Sequence, residues 1–287
     1  MSVTISVIVL TYNSRNTIIK TLESIKKQTY DNIEIVVSDD CSTDDTLDVI
    51  KKWRNEKYSR KKMKIVTNEV NTGITANVNR GIKAASGKMV KLIAGDDVLC
   101  DKAIEVFYSF YKNNSHNIVF QSKVQTIDEN DLSTNQIDDV LEESYHLLSQ
   151  ANQEEQYHNL LLTNYILSPA IGLISKRNLD RIGLFDERFP MMEDYPFFLN
   201  LSQKGIKYSL IDEELVKYRI SNNSISNTKK TRTFVRFTWS KVKFDILVRI
   251  RLLLKEGYVT KAFRLVLGSI KRILEILMYY LAKIVKN

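Results

Sequence analysis

Two pairs of adjacent aspartates in this sequence each follow an apolar, strand-like run. Asp96 and Asp97 end such a run in KLIAGDDVL, and Asp39 and Asp40 end another in EIVVSDD. A solvated turn is the ordinary explanation for either pair taken alone. Carboxylates are also the groups with which proteins hold Mg²⁺ or Mn²⁺ against the phosphates of a substrate. A cation site is therefore the competing explanation, and it requires other polar groups at the same place.

The elements that position these aspartates are predicted by the periodicity of the apolar residues. Apolar, β-branched runs predict five strands, at Val3–Leu10, Ile33–Ser38, Met63–Thr67, Met89–Ile93 and Ile118–Gln125. Helical spacing between the runs predicts helices with caps at Asn13 or Ser14, at Ser42 and at Asp101. Apolar strands alternating with helices predict an α/β fold whose mostly parallel sheet is covered on both faces.

Ligands of open α/β sheets bind beyond the carboxyl ends of the strands. The first strand delivers Thr11, Tyr12 and Asn13 to that edge, and two later strands deliver the aspartate pairs. Because three loops bring polar groups to one crevice, the cation site becomes the favoured explanation for Asp96–Asp97. An acid after the second strand is suited to bind a ribose hydroxyl or a base N–H.

Several other classes of site are excluded by their missing motifs. The sequence has no G-x-G-x-x-G after the first strand, no P-loop and no G-x-S-x-G elbow. Its two cysteines, Cys41 and Cys100, and its three histidines match no zinc pattern and no disulfide framework. The N-terminus lacks the basic and apolar regions of a signal peptide, so we expect a protein that is not exported.

A third acidic pair, Glu193–Asp194, stands at the start of a predicted aromatic helix. Acids there complement the positive end of the helix dipole, which is a purely structural role. The alternative is a general base that takes a proton from a hydroxyl. The sequence alone does not place this pair near Asp97, and both explanations remain open.

Four segments, in this order and spacing, resemble the family 2 glycosyltransferases: SVIVLTYNS, EIVVSDDCSTDDT, NTGITANVNRGIKAASGKMVKLIAGDDVL and FDERFPMMEDYPFFLNL. The resemblance covers about residues 3–226. It implies a GT-A fold, with a nucleotide-binding half over residues 1–125 and an acceptor-binding half over residues 126–226. It also implies a hexosyltransferase that moves a sugar from a nucleotide diphosphate donor, usually a UDP-sugar, with inversion and with Mn²⁺ or Mg²⁺.

The resemblance assigns roles to individual residues. It implies that Asp97 is the metal ligand and that Asp194 is the catalytic base, supported by Glu193. Donor binding is implied for nine residues: Thr11, Tyr12, Asn13, Asp39, Asp40, Asn71, Arg80, Asp96 and Arg219. The segment YRISNNSIS resembles the closing segment of the family. Five residues depart from the usual family pattern: Leu10 in place of proline, Cys41 in place of glycine, Val78 in place of arginine, Ala94 in place of an acid and Ser221 in place of histidine.

The C-terminal region, residues 227–287, lies outside the resemblance and is strongly basic. From Lys229 onward it has fifteen Lys and Arg against three acids, in a chain of net charge +8. Its apolar clusters predict two amphipathic helices separated around Gly257, of the kind that lie in a membrane interface. Packing on the catalytic domain or on a second subunit is the alternative, and no motif supports nucleic acid binding.

The sequence thus predicts a glycosyltransferase peripheral to the cytoplasmic face of the membrane, acting in surface polysaccharide synthesis on a saccharide or lipid-linked acceptor. Two other functions remain open. A nucleotidyltransferase that makes nucleotide sugars also uses metal-binding acids on an α/β fold, but it needs a Gly-rich basic loop where TYNSRNT stands. A non-catalytic subunit that binds nucleotide sugars is the other alternative.

Overall fold

A computed structural model describes residues 3–58, 62–114, 118–134, 138–220 and 232–285. Its eight strands are β1 (Ile5–Thr11), β2 (Ile33–Asp39), β3 (Met63–Thr67), β4 (Met89–Ala94), β5 (Val98–Leu99), β6 (Ile118–Ile127), β7 (Ile174–Ser175) and β8 (Lys207–Arg219). The larger sheet has the order β3-β2-β1-β4-β7, in which only β7 runs antiparallel. The predicted mostly parallel α/β sheet is confirmed, and its four parallel strands lie where the apolar runs predicted them.

A smaller sheet has the order β5-β8-β6, with β8 parallel to β6 and antiparallel to β5. The segment KYSLIDEELVKYR forms β8, one strand of thirteen residues. Its central acidic residues lie where the register with β6 shifts, between Ser122 and Val124. A bulge of this kind accommodates polar residues without ending the strand.

Eight α-helices precede the basic C-terminal region in the described residues: α1 (Ile18–Lys26), α2 (Thr46–Lys57), α3 (Ile74–Ala84), α4 (Ala103–Asn113), α5 (Asp138–Gln150), α6 (Gln153–Leu162), α7 (Lys176–Ile182) and α8 (Asp194–Gln203). Apolar residues of the parallel strands are buried on both faces of the sheet, in two clusters. Residues 126–156 contain α5 and the first turn of α6. The α6 helix begins with a capping box between Asn152 and Glu155.

The predicted helix caps are wrong, because the residues directly before α1, α2 and α4 are Thr17, Asp45 and Lys102. Asn13, Ser14, Ser42 and Asp101 lie outside these cap positions. The polar residues before α1 and α2 join the two loops to each other instead. Ser42 Oγ accepts a hydrogen bond from the N–H of Asn13, and the N–H of Ser14 donates to Thr46 Oγ1.

The basic C-terminal region forms α9 (Arg232–Phe244), a π-helical turn (Asp245–Arg249), α10 (Ile250–Lys255) and α11 (Val259–Val285). The predicted break around Gly257 is confirmed, since this glycine has a left-handed φ of 79°. Phe244, Leu253 and Ala262 belong to the same apolar cluster as the residues of α8. Within the described ranges, no helix is long and apolar enough to cross a membrane. From Ser221 on, the expected closing segment lies outside the described residues.

Candidate active site

The carboxyl ends of β1 and β2 meet at Thr11 and Asp39, which are paired in the sheet register. Thr11 Oγ1 donates to Asp39 Oδ1 at 2.8 Å, and the N–H of Ser42 donates to Asp39 Oδ2 at 2.8 Å. Both Thr11 and Asp39 are buried. This carboxylate is therefore held rigidly by donors from the protein at the edge where the sequence predicted a ligand.

The loop after β1 exposes an aromatic ring at the same edge. Tyr12 is 49% exposed, and Asn13 next to it has a left-handed φ of 53°. Asn13 Oδ1 accepts the N–H of Thr43 at 2.8 Å, which ties this loop to the loop after β2. In that second loop Cys41 has a φ of 65°, a conformation that costs glycine least, so the departure from glycine at this position is a strained one.

Three other predicted donor-binding residues connect the loop after β2 to its surroundings. Asp40 accepts the N–H groups of Thr72 and Gly73 at 3.0 and 2.7 Å. Arg80 donates to the carbonyl of Asp39 and to Thr72 Oγ1. Asn71 Oδ1 accepts from Arg236 of α9 at 2.8 Å. These contacts hold the edge of the crevice in place, and Arg80 provides the positive charge beside it.

The Asp96–Asp97 pair follows β4 and is clamped by Arg219, the last residue of β8. The N–H of Arg219 donates to Asp97 Oδ1 at 2.9 Å, and its Nε donates to the carbonyl of Asp96 at 2.9 Å. The rest of its guanidinium binds the Asp128 carbonyl and the Asp131 carboxylate. Arg219 is thus buried, and its backbone N–H and its guanidinium nitrogens all donate to protein groups.

The two aspartates of this pair differ in environment. Asp97 is 1% exposed, whereas Asp96 is only partly buried. Among the described residues, Asp97 Oδ2 has no hydrogen-bond partner. Burial and the charge of Asp96 raise the pKa of the Asp97 carboxyl well above its usual range. A buried carboxylate with a free oxygen requires a proton or a cation.

Glu193 and Asp194 lie at the start of α8 and are partly buried. Asp194 Oδ1 accepts the N–H of Tyr195 at 2.6 Å, and Asn164 Nδ2 donates to Asp194 Oδ2 at 3.3 Å. Burial and the neighbouring Asp194 raise the pKa of Glu193 to about 8, and burial raises the pKa of Asp194. Carboxylates with raised pKa values are suited to accept a proton near neutral pH.

The pKa of Tyr218 relates Asp194 to the Asp96–Asp97 pair. Burial and the carboxylates of Asp97, Asp96 and Asp194 raise the pKa of Tyr218 to about 12. The phenol of Tyr218 therefore lies within the electrostatic influence of all three acids. Sequence reasoning missed this residue, and its only signal is that it precedes Arg219 on β8.

The model of the family "Glycosyl transferase family 2" matches residues 6–183 of the chain. The chain belongs to this family. This glycosyltransferase is 29% identical to an uncharacterized glycosyltransferase of Haemophilus influenzae, over 93% of this chain and 84% of the relative. It is 28% identical to the UDP-Glc:alpha-D-GlcNAc-diphosphoundecaprenol beta-1,3-glucosyltransferase WfaP of Escherichia coli, over 78% of this chain and 80% of the relative.

The glycosyltransferase has the same fold as S. aureus TarS. The TarS 1–349 structure in complex with UDP-GlcNAc aligns with a TM-score of 0.61 and 22% identity, over 86% of this chain and 66% of TarS 1–349. The structure in complex with UDP aligns with a TM-score of 0.58 and 24% identity. This chain spans 65% of the latter and 39% of the longer TarS chain. The expected GT-A fold is confirmed.

The residues of this glycosyltransferase fit a cation that is shared with a substrate. No cluster of three or more His, Cys, Asp or Glu that could hold a metal occurs in the part of the chain that the structure describes. Mg²⁺ in nucleotide sites commonly takes one or two carboxylates and completes its shell with phosphate oxygens and water. The free Oδ2 of Asp97 and the carboxylate of Asp96 fit that limited ligand set.

A cavity of about 370 Å³ opens beside Asp194. It is lined by Asn164 before β7, by Met192 and Tyr195 around the start of α8, and by residues of α9 and the π-helical turn. The C-terminal region therefore contributes to the wall of the candidate active site.

Proposed function

We propose that this glycosyltransferase transfers a sugar from a nucleotide diphosphate donor, with UDP as the nucleotide, to an acceptor hydroxyl with inversion at the anomeric carbon. One observation carries the proposal. The carboxylates of Asp96, Asp97 and Asp194 all contribute to raising the pKa of the Tyr218 phenol, which supports an arrangement with the acidic pair suited to a cation near an acid suited to be a base.

The donor binds along the carboxyl edge of the sheet. Thr11 and Asp39 lie where a nucleoside enters an α/β crevice, and the exposed ring of Tyr12 offers a face for the base. The remaining donor-binding residues are Asn13, Asp40, Asn71, Arg80, Asp96 and Arg219. Their hydrogen bonds to each other's loops give the crevice a shape that is preorganised for its ligand.

Asp97, with Asp96 beside it, would hold a divalent cation, Mn²⁺ or Mg²⁺. When bound, the cation would supply Lewis-acid neutralisation of the negative charge of the departing diphosphate. Arg219 keeps the pair in position through its bonds to Asp97 Oδ1 and to the Asp96 carbonyl.

Asp194 accepts the proton of the acceptor hydroxyl, which attacks the anomeric carbon from the face opposite the leaving diphosphate. The raised pKa of Asp194 makes it a stronger base than an exposed aspartate. Asn164 and the N–H of Tyr195 orient the carboxylate, and Asp194 in turn raises the pKa of the neighbouring Glu193.

The acceptor is a lipid-linked saccharide at the cytoplasmic face of the membrane, in the synthesis of a surface polysaccharide. Two of the similar proteins act, by their names, on diphosphoundecaprenol-linked acceptors. The α11 helix supports a peripheral position, since apolar residues 49–62% exposed recur along it every three or four residues: Val259, Phe263, Leu267, Ile270, Leu274, Leu277 and Leu281. Such a face suits the interface between acyl chains and headgroups.

Incubation of the full chain with a panel of nucleotide sugars, with and without Mn²⁺, tests the function. We expect UDP to be released from a UDP-sugar only when Mn²⁺ is present. Binding of UDP-sugars without any release or transfer would identify a non-catalytic subunit. Formation of a nucleotide sugar from UTP and a sugar phosphate would identify a nucleotidyltransferase.

A further inference from the structure

Two adjacent cavities lie along the C-terminal helices. The cavity of about 370 Å³ beside Asp194 and a second cavity of about 360 Å³ share Leu162 and Arg249 in their walls. The second cavity is also lined by Leu253 of α10 and Leu265 of α11. We call the two adjacent cavities together the basic groove. Its walls extend from Asp194, the proposed base, to residues of α11.

The basic groove has an excess of positive charge. Five cationic side chains contribute to its walls: Lys241, Arg249, Lys261, Arg264 and Arg272. The buried Asp245 binds two of them, with distances of 2.9 Å to Arg249 and 3.0 Å to Arg272. Among the described residues that line the two cavities, Asp194 is the only acid, since Asp245 belongs to neither wall.

The positive charges of the neighbouring arginines affect the pKa of Lys241. Burial and the repulsion of the neighbouring Arg272 lower the pKa of the Lys241 ammonium, and Arg249 adds to this effect. Asp245 opposes the shift without cancelling it. An anion in the groove would relieve this repulsion, so the protein maintains here a positive field that its own carboxylates do not balance.

The walls of the groove also carry apolar side chains between the cations. Leu162 lies at the junction of the cavities, Phe237 near Asp194, and Leu253 and Leu265 towards α11. A ligand with phosphate charge and a hydrocarbon chain matches both kinds of group. A nucleotide or free sugar phosphate would leave the leucines without a partner.

The orientation of α11 distinguishes the groove from a general bilayer contact. With 3.6 residues per turn, the groove-lining positions of α11, which are Lys261, Arg264, Leu265, Gly268 and Arg272, lie on the side opposite its exposed apolar stripe. An interfacial helix that buries the stripe among acyl chains turns these positions away from the bilayer. The groove then lies between α11 and the part of the protein that packs against it.

We propose that the basic groove binds the diphosphate and the first carbons of the lipid chain of the acceptor, and thereby presents the acceptor's sugar hydroxyl to Asp194. This inference rests on the proposed function, because Asp194 must be the base for the groove to lead to the reacting hydroxyl. The C-terminal helices are then a part of the acceptor site and not only a membrane anchor.

Binding of farnesyl diphosphate to the full chain, measured by calorimetry without divalent metal, tests the inference. Omission of the metal prevents the diphosphate of the probe from using the donor site, which binds a diphosphate through the cation. We expect farnesyl diphosphate to bind more tightly than inorganic pyrophosphate or farnesol. The side chains of Lys261 and Arg264 are both exposed. The double variant Lys261→Ala/Arg264→Ala should bind farnesyl diphosphate about 10- to 100-fold more weakly than the wild type.

The matched control is Lys271→Ala, which removes an exposed cation of α11 that lines neither cavity. It should bind farnesyl diphosphate as the wild type does, and Arg264→Lys should retain part of the affinity. Equal affinity of the double variant and the wild type would overturn the inference. So would a double variant that loses only its binding to phosphatidylglycerol vesicles. A wild type that binds farnesyl diphosphate but neither binds nor cleaves any nucleotide sugar would refute the proposed function alone.

Discussion

The backbone N–H of Arg219 donates to Oδ1 of Asp97 at 2.9 Å, while Oδ2 of the same carboxylate is buried and, within the described part of the chain, has no hydrogen-bond partner. Half of this carboxylate therefore holds the end of β8, and the other half is free for a ligand. Asp96 is less buried and is fixed through its carbonyl by the same arginine. One arginine thus positions both members of the proposed cation site.

Substituting each aspartate by asparagine distinguishes the two roles. Asp97→Asn keeps an acceptor for the Arg219 N–H but removes the charge, so we expect Mn²⁺-dependent binding of UDP to be abolished. Asp96→Asn should weaken UDP binding about 10-fold, the loss of one charge-assisted contact, and keep its dependence on Mn²⁺. Calorimetric titration of UDP with and without Mn²⁺ measures both. The reverse pattern would transfer the ligand role to Asp96.

The variant Asp194→Asn should reduce the transfer rate by about 10²–10⁴-fold, which is the usual contribution of a general base. The amide can still accept the N–H of Tyr195, so the start of α8 should stay folded. Affinity for UDP and Mn²⁺ should match that of the wild type, because Asp194 does not belong to the cation pair. A full transfer rate in this variant would exclude Asp194 as the base.

The transfer rate should depend on pH through the Glu193–Asp194 pair. A base is active only when ionised, and both pKa values are raised, that of Glu193 to about 8. We therefore expect kcat/KM to increase as the pH rises towards about 8. Glu193→Gln removes the neighbouring carboxylate that shares the proton with Asp194, so the acid limb of the profile should move to lower pH. An unchanged profile would separate Glu193 from the catalytic proton.

The site residues at the edge of the sheet could be predicted from sequence. The site residues that come from distant parts of the chain could not. Thr11, Asp39 and Asp97 each follow an apolar run of their own, so local periodicity is enough to place them. Tyr218 lies on a strand that pairs with distant parts of the chain, and nothing in its local pattern marks it. The basic groove combines residues about 110 positions apart, from Leu162 to Arg272. Such a set becomes visible only when the helices are packed.

The helix caps illustrate a different limit of sequence reasoning. Ser42 has the residue type and the position of a cap, yet it binds Asp39 and the N–H of Asn13. Local preference was overridden because the loops after β1 and β2 satisfy each other's polar groups. That competition depends on which strands are neighbours, which the capping signal does not contain.

Glu34 gives a prediction for stability. Burial opposes its charge, but hydrogen bonds from Lys64, Ser6 and Ser86 outweigh burial and lower its pKa to about 2. A lowered pKa stabilises the fold above the pKa of the unfolded state, and this stability is lost as pH decreases through the folded value. Glu34→Gln should therefore lower the free energy of unfolding by about 2 kcal/mol at pH 7, less than the full shift implies because Lys64 is half exposed.

Urea denaturation at several pH values measures this effect. The difference between wild type and Glu34→Gln should shrink between pH 4.5 and pH 2, since Glu34 becomes protonated there. Glu129→Gln changes an exposed glutamate and is the matched control. A difference that stays constant over this range would mean that packing of the side chain, and not its charge, stabilises this part of the sheet.

The exposed stripe of α11 gives the last prediction. Replacing Phe263, Leu267 and Leu274 by serine removes three apolar side chains that are each more than half exposed and that contribute little to the core. Because burying such a side chain is worth about 1.5–3 kcal/mol, the triple variant should lose most of its binding to phosphatidylglycerol vesicles. Leu132→Ser removes an exposed leucine outside the C-terminal region and should bind like the wild type.

Co-sedimentation measures binding, and light scattering measures the oligomeric state of the same samples. Unchanged sedimentation together with a change from dimer to monomer would show that the stripe is a contact between subunits, because an apolar helix face that a second copy covers is not available to lipid.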